Sequence, residues 1–395
     1  MAMKKSYQPT ETIQDFSNHL KILRIQQGLS QGELAARAGI TRQAVSSIES
    51  NLYLPTTGVA LHLASALACR VEDLFNLRTA EDIVEGKLIG HLPQSDMKAS
   101  PIRVKVSTVG SKTVVRPITG LGEVLSFTVP ADGYVVEPHG QTSGATVRVK
   151  LSRDRQAIEQ EISVAGCDPA IFLAGEHMRQ HKDQTSVVGW TMGSMAALRA
   201  LQQGEVHVAG LHLFDPTTGE SNLPFLRRAL KGSNYEVVTF ATWEEGLLVR
   251  AGNPKSIRGV SDIADPLVTL VNREEGAGAR LLLDQRLRAA GISSNQVKGY
   301  GTIVASHFEI ARAIASRQAD VGIGIRSAAQ LFELDFVPIQ VARYDLVVPK
   351  AYLKLHPTLT HLFETLVSRP FRNEIEALGG YDTSETGKLH ALRVG

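Results

Sequence analysis

The sequence has little of what marks a secreted or membrane protein. Its 395 residues include only two cysteines, Cys69 and Cys167. They fall in different parts of the chain, so a disulfide framework is implausible and a reducing compartment fits. No apolar run approaches the roughly 20 residues needed to span a bilayer. The N-terminal "MAMKKSYQPTETIQDF" is basic at its start but lacks the apolar stretch of a secretory signal. A cytoplasmic protein with no membrane partner is the expectation. The formal net charge is only +2, so no global field draws nucleic acid, and any DNA-binding role must come from a local patch. The twelve histidines do not fall at metal-ligand spacings, so neither a metal nor a cofactor is expected.

A composition of 43% apolar and 21% charged residues is that of a globular chain, and its length exceeds one ordinary core, so two or three domains are expected. The pattern is helical from residue 10 to 77, followed by a mixed connector at 78–100 with turn chemistry in "HLPQSDMKAS". From 101 to 152 the period becomes two, and "IRVKVSTV", "TVVRPIT", "SFTVPADGYVVEP" and "ATVRVKL" read as short strands of a small β-rich domain. From 160 to 395 strands alternate with helices, as in "ISVAGCD", "SVVGW", "LVTLV" and "ADVGIGI". That alternation indicates a largely parallel α/β sheet. The fold class is therefore multidomain, with an all-α head, a β-rich middle segment and an α/β C-terminal domain.

In the head, Ser30 precedes "QGELAARAG" and Glu33 follows three residues later, a capping box. Thr41 caps "RQAVSSIES", and Leu34, Ala35, Val45 and Ile48 are spaced to pack the two helices together. The stretch "GLSQGELAARAGITRQAVSSIE" resembles the XRE-type helix-turn-helix family of phage-repressor-like regulators almost position by position. The resemblance implies a double-stranded DNA operator. Arg42, Gln43 and Ser47 stand where the family reads base edges, while Gln31, Thr41, Ser46 and Ser50 complete the predicted DNA-binding set. Arg24 and Glu49 match a family ion pair, and Asn51 replaces a common glycine. One such module contacts few bases, so a homodimer or higher homo-oligomer on a two-fold operator is expected.

Three strand-to-helix junctions stand out in the C-terminal part. "GWTMGSM" places Ser194 at a helix start, "VNREEGAGARLLL" makes a glycine-rich turn from Asn272 to Arg280, and "TIVASHFEIA" puts Ser306 and His307 at a third start. Helix N-termini offer unpaired N–H groups and partial positive charge to anions. Gly276 and Gly278 permit close backbone approach, and Arg273 and Arg280 add charge. Taken singly, the loop reads equally as a tight turn, Ser194 as a cap and His307 as a structural histidine; their recurrence at corresponding junctions carries the binding reading. The expected ligand-binding set is Asp168, Ser194, Asn272, Arg273, Gly276, Gly278, Ala279, Arg280, Ser306 and His307. Asp168 reads first as a cap before Pro169. Pointing into a cleft, it would instead favour a ligand bearing hydroxyl or amine groups.

Stretches such as "AGCDPA", "GEVHVAGLHLFDPTTGESN", "VNREEGAGARLLLD" and "FRNEIEALGGYDTSETG" resemble the type II periplasmic-binding-protein-like domain, a family related to molybdate and tungstate binding proteins. The resemblance implies lobe one at about 160–243 and 345–395, lobe two at about 244–344, and crossovers near Glu244 and Tyr344. Ala277 and Ala279 depart from the Ser and Thr common in related oxyanion binders. The loss of those hydroxyls leaves backbone N–H groups and arginines for an anion. The middle segment is loosely similar to the small β-barrel of molybdopterin molybdotransferases; it reads at least as well as a spacer or dimerisation β-domain without catalysis, and the spacer is the expectation.

The expected function is a one-component transcriptional regulator sensing a small anionic ligand, with a molybdate- or tungstate-type oxyanion first. A sensor of an organic metabolite such as a pterin-like anion is the alternative, as is an enzyme or accessory protein of molybdenum-cofactor biosynthesis. A ligand-independent architectural DNA-binding protein is a further one. No catalytic residue is assigned. His212 and Asp215 are the best candidates for one, and they read more simply as loop-shaping groups.

Overall fold

A computed structural model describes residues 16–77, 83–93, 101–138, 140–181, 185–230 and 234–392. Residues 10–15 of the expected head and 78–82 and 94–100 of the expected connector lie outside the described residues. The chain divides into two compact units at residues 83 and 84.

The first unit contains five helices, α1 (Leu20–Gln26), α2 (Gln31–Ala38), α3 (Arg42–Glu49), α4 (Thr57–Ala66) and α5 (Val71–Leu74). Strands β1 (Phe16–Asn18) and β2 (Phe75–Leu77) pair antiparallel and bring its ends together. Helix α2 starts where the sequence signals it. Ser30 accepts from the Glu33 N–H, the Glu33 carboxylate accepts from the Ser30 N–H, and Gly39 ends the helix in the left-handed conformation. Thr41 caps α3 by accepting from the Ala44 N–H. Asn51 takes φ +56°, the left-handed role of the glycine it replaces. Leu34, Ala35, Val45 and Ile48 are buried in one core with Leu20, Leu63 and Leu74. The Arg24 guanidinium pairs bidentately with Glu49 at 2.6 and 3.1 Å and donates to the Leu29 carbonyl, so one side chain ties α1 to α3.

The second unit begins with a closed five-stranded barrel of β3 (Ile83–Leu88), β4 (Arg103–Val109), β5 (Lys112–Pro117), β6 (Gly133–Pro138) and β7 (Thr146–Leu151), in the order β3-β5-β4-β6-β7. Two expectations change here. The connector at 78–100 supplies a barrel strand, β3, because closure needs a partner for β5. The stretch read as the strand "SFTVP" is in part a short helix, α6 (Glu123–Thr128), entered through Gly122 at φ +89°.

Helix α7 (Arg155–Glu159) leads into the α/β domain. Its strands are β8 (Ile162–Gly166), β9 (Val187–Thr191), β10 (Val208–Leu211), the hairpin β11 (Phe214–Asp215) and β12 (Glu220–Ser221), then β13 (Tyr235–Val249), β14 (Leu270–Arg273), β15 (Ile303–Val304), β16 (Val321–Ile325) and β17 (Asp335–Pro349). The main sheet runs β15-β14-β16-β13-β17-β10-β8-β9. Helices α8 (Ile171–His181), α9 (Ser194–Gln202) and α10 (Leu223–Ala229) belong to one lobe, and α11 (Gly278–Ala289), α12 (His307–Ala315) and α13 (Arg326–Leu331) to the other. Strands β8, β10 and β16 are buried throughout or nearly so, as parallel strands covered on both faces must be. Strands β13 and β17, 15 residues each, pair antiparallel and run through both lobes. At about 3.3 Å per residue each spans about 50 Å. Register shifts fall between Thr239 and Ala241 and between Glu245 and Gly246, where the ribbon passes from lobe to lobe.

Barrel and α/β domain meet through polar contacts. Lys105 on β4 is buried between Asp132 at 2.8 Å and Glu161 at 2.6 Å, and Arg153 reaches the same two carboxylates. His207 accepts from the Ser163 N–H through Nδ1 (3.0 Å), which leaves Nε2–H to donate to the Thr108 carbonyl on β4 (2.9 Å). Burial, with His356 beside it, pushes its pKa down to about 4. The folded state thus holds His207 neutral, while the unfolded chain protonates near pH 6.5. Stability from this group is complete above pH 6.5 and is lost as pH falls toward 4, up to about 3 kcal/mol. His207→Gln should flatten the fall in denaturant stability between pH 6.5 and 4. An equal fall in both proteins would show that His207 is not its source.

Candidate functional site

Two surfaces carry the residues singled out in the sequence. In the head, Arg42 and Gln43 are exposed on the first turn of α3, and Ser46 and Ser47 lie half-buried one turn on. The other expected contacts also have duties inside the head. Gln31 donates to Glu49 at 2.9 Å, Thr41 caps α3, and the Ser50 hydroxyl donates to the Ser46 carbonyl. Arg42 and Gln43 are the exposed side chains on the first turn of α3.

The second surface is interior, at the carboxyl ends of β8, β10 and β14 where the lobes meet. Cys167 and Asp168 follow β8, Ser194 starts α9, His212 follows β10, Trp243 and Glu245 sit at the bend of β13, Arg273 ends β14, and His307 starts α12. All are at most 3% exposed, with Ser194 and Arg273 at 0%. Asp168 accepts from the Ala170 N–H (2.9 Å) and the Tyr381 hydroxyl (3.0 Å) through Oδ1. It therefore caps its own turn, and its second oxygen is left over. His212 Nδ1 lies 3.3 Å from Cys167 Sγ and 3.4 Å from Ser194 Oγ, while Nε2 lies 3.2 Å from Glu245 Oε1. The His212 ring packs edge-on against Trp243, which stacks on Tyr344.

Buried polar groups are normally hydrogen-bonded. Among the described residues twelve buried side-chain N or O atoms have no such bond, and seven belong to this chamber: His212 Nε2 and Glu245 Oε1 face each other at 3.2 Å as an ion pair, while Asp168 Oδ2, Trp243 Nε1, Arg273 Nη1 and both ring nitrogens of His307 have no partner. Leaving each of them unsatisfied costs on the order of 1–3 kcal/mol. A chamber so lined is built for something that completes those bonds.

Its charge is balanced more than positive. Arg273 pairs bidentately with Glu274 (2.8 and 2.9 Å). Burial opposes the charged form of His212, but Cys167 and Glu245 outweigh it and push its pKa up to about 10. Burial raises Asp168 to about 6. Burial, with the charges of Arg273 and His212 nearby, holds His307 well below its usual range and so neutral.

The glycine-rich turn makes contact between the lobes. Gly276 adopts φ +84°, and its carbonyl accepts from the Met195 N–H of lobe one. A Cβ on Gly278 would fall 2.1 Å from the His212 carbonyl oxygen. Helix α11 can therefore start against His212 only because residue 278 has no side chain.

The structure brings Asp168, Ser194, Arg273, Gly278 and His307 together at the chamber. Of the other expected residues, Gly276 bonds across to Met195 of lobe one and the rest serve lobe two. Asn272 donates to the Tyr300 carbonyl, Ala279 is core, and Ser306 caps α12. Arg280 pairs with Asp284, donates to the Arg273 carbonyl and lies over the Tyr300 ring. A charge four residues along the helix and an aromatic face satisfy Arg280 where it stands. Cys167, Trp243, Glu245, Tyr344 and Tyr381 were not among the expected site residues, although Cys167 and Tyr381 lie in stretches that carry the family resemblance and Tyr344 lies at an expected crossover. His212 was noted only beside Asp215, which shapes its loop by accepting from the Thr217 N–H and pairing with Arg228.

Gly278→Ala should push His212 off Trp243 and admit water. In a Trp190→Phe background, which leaves Trp243 as the sole tryptophan, acrylamide should quench the variant's emission more strongly than the parent's. Unchanged quenching would mean that the lobe contact tolerates a methyl group.

Two family models match the chain: a helix-turn-helix domain over residues 20–74 and a PBP superfamily domain over 175–367. The chain is similar to the uncharacterized protein YvgK of Bacillus subtilis (strain 168), 35% identical over 228 residues, 58% of this chain and 73% of that one. It is 38% identical over 110 residues to an uncharacterized protein in the ferredoxin 2Fe-2S gene 5′ region of Clostridium pasteurianum, 28% of this chain and 96% of that one. It is 40% identical over 58 residues to the uncharacterized HTH-type transcriptional regulator YgzD of Bacillus subtilis (strain 168), 15% of this chain and 88% of that one. Among the described residues no helix is long and apolar enough to cross a membrane.

Proposed function

From a chain that belongs to the helix-turn-helix family through its N-terminal domain and to the PBP superfamily through its C-terminal one, we infer a one-component transcriptional regulator. The observation that carries the reading is the set of five buried polar atoms between the lobes that have no partner among the described residues, on the same chain as a head presenting Arg42 and Gln43. The head binds a two-fold operator as a homodimer in the cytoplasm, and the lobes close on a small ligand. Because operator affinity and ligand affinity are coupled reciprocally, an effect of about 1–3 kcal/mol, or roughly 5- to 150-fold, is the expected scale.

The ligand is a small anion. Arg273 Nη1 and Trp243 Nε1 are unpartnered donors, His307 can turn an N–H to it, and the N-termini of α9, α11 and α12 converge nearby. A molybdate- or tungstate-type oxyanion is the first candidate. The unpartnered oxygen of Asp168 favours a second reading, an organic anion such as a pterin that also carries N–H or O–H donors, since an acceptor facing a bare dianion would repel it.

The first experiment is a thermal-shift screen of the full chain, in chelator, against molybdate, tungstate, sulfate, phosphate and small organic anions. A ligand at a hundred times its Kd adds about 2.7 kcal/mol to the folded state. Arg273→Met should abolish that shift and leave operator binding intact, whereas Arg42→Ala should do the reverse. A folded variant that loses both activities would overturn the separation of roles. No shift with any anion would overturn the sensor.

A further inference from the structure

We propose that the chamber holds a borderline-soft divalent cation, zinc first, bound by Cys167 Sγ, His212 Nδ1 and a ring nitrogen of His307. Cys167 Sγ, a ring nitrogen of His212 and a ring nitrogen of His307 lie within 4.8 Å of one another, and all three residues are buried. The Sγ to Nδ1 separation is 3.3 Å. Tetrahedral zinc, with bonds of about 2.3 Å to sulfur and about 2.0–2.1 Å to nitrogen, sets its S and N ligands roughly 3.5 Å apart. That edge of the tetrahedron is close to its length, and the third ligand, a ring nitrogen of His307, lies within 4.8 Å of both.

Two independent features point to a cation. His307 is 1% exposed, and neither ring nitrogen has a hydrogen-bond partner. A neutral imidazole at a helix start, facing a thiol and a second imidazole, is costly without an occupant and ordinary as a ligand. His212, in turn, presents Nδ1 to Cys167 and Nε2 to the Glu245 carboxylate at 3.2 Å. A carboxylate on the far nitrogen is what commonly orients a metal-ligating histidine and raises its basicity. Glu245 is itself held by Gln340 at 3.2 Å.

The donor set selects the metal. One thiolate and two imidazoles suit zinc, cobalt or copper, and they disfavour magnesium and calcium, which take oxygen ligands. Three protein ligands leave a fourth position for water or for an oxygen of the anion. A dication would also offset Asp168 and Glu245 and so make a charge-balanced chamber attractive to an anion. Only that fourth ligand depends on the regulator reading; the cation site stands without it.

The test is a cobalt titration of the reduced, chelator-treated full chain, with zinc as competitor. The expected result is one cobalt per chain, with intense visible bands of tetrahedral cobalt and a near-ultraviolet thiolate charge-transfer band, both removed by zinc and unaffected by magnesium. Cys167→Ser should abolish the charge-transfer band, and His307→Ala should weaken zinc binding at least tenfold. Glu245→Gln should weaken it about 10- to 100-fold. Cys69→Ser, in the head, should change nothing. Absence of stoichiometric binding to the wild-type chain would overturn the site without any variant. So would a thiolate band that survives Cys167→Ser or disappears with Cys69→Ser. Either failure would leave the anion screen, run in chelator, as the separate test of the regulator.

Discussion

The imidazole of His212 is the contact on which the two-lobed domain turns. It touches Cys167 and Ser194 on lobe one and faces Glu245 across the bend of β13, and helix α11 of lobe two starts against its backbone at Gly278. The rings of Trp243, His307 and Tyr344 surround it, with centroids 5.3, 5.7 and 6.3 Å away. The buried pairing with Glu245 is stable only if the groups around it complete their bonds, since an uncompensated buried charge is expensive. Closure of the lobes, the pKa values of the chamber and its capacity for a ligand therefore depend on one another.

The paired strands β13 and β17 give that arrangement its mechanics. Two long antiparallel strands crossing from lobe to lobe resist stretching but can bend, and their register shifts lie at Thr239 and Glu245. The shift at Glu245 puts a buried carboxylate where the ribbon crosses from lobe to lobe. The barrel is fixed to lobe one by Lys105, Arg153 and their shared carboxylates, and by His207. It is a built part of the second unit.

Much of the fold was legible because it rests on local rules. Capping residues, a left-handed glycine and a 3.6-residue apolar period define α2 and α3 over a few residues each, and the structure repeats them. The α/β alternation was legible for the same reason. The errors lay where a long-range partner decides: β3 is a strand because it closes a barrel, and α6 interrupts an apparent strand beside that closure.

The site divides along the same line. The sequence by itself determined the head and its reading helix, the two-lobed class of the C-terminal domain, and the helix starts at Ser194, Gly278 and His307, because each is written in neighbouring residues. Only the tertiary structure decided that Arg280 serves Asp284 and Tyr300, and that Cys167, His212, Glu245 and His307 meet. Those four come from separate strand ends up to 140 residues apart. No spacing rule links such positions, because their proximity is set by strand order in the sheet and by closure of one lobe upon the other.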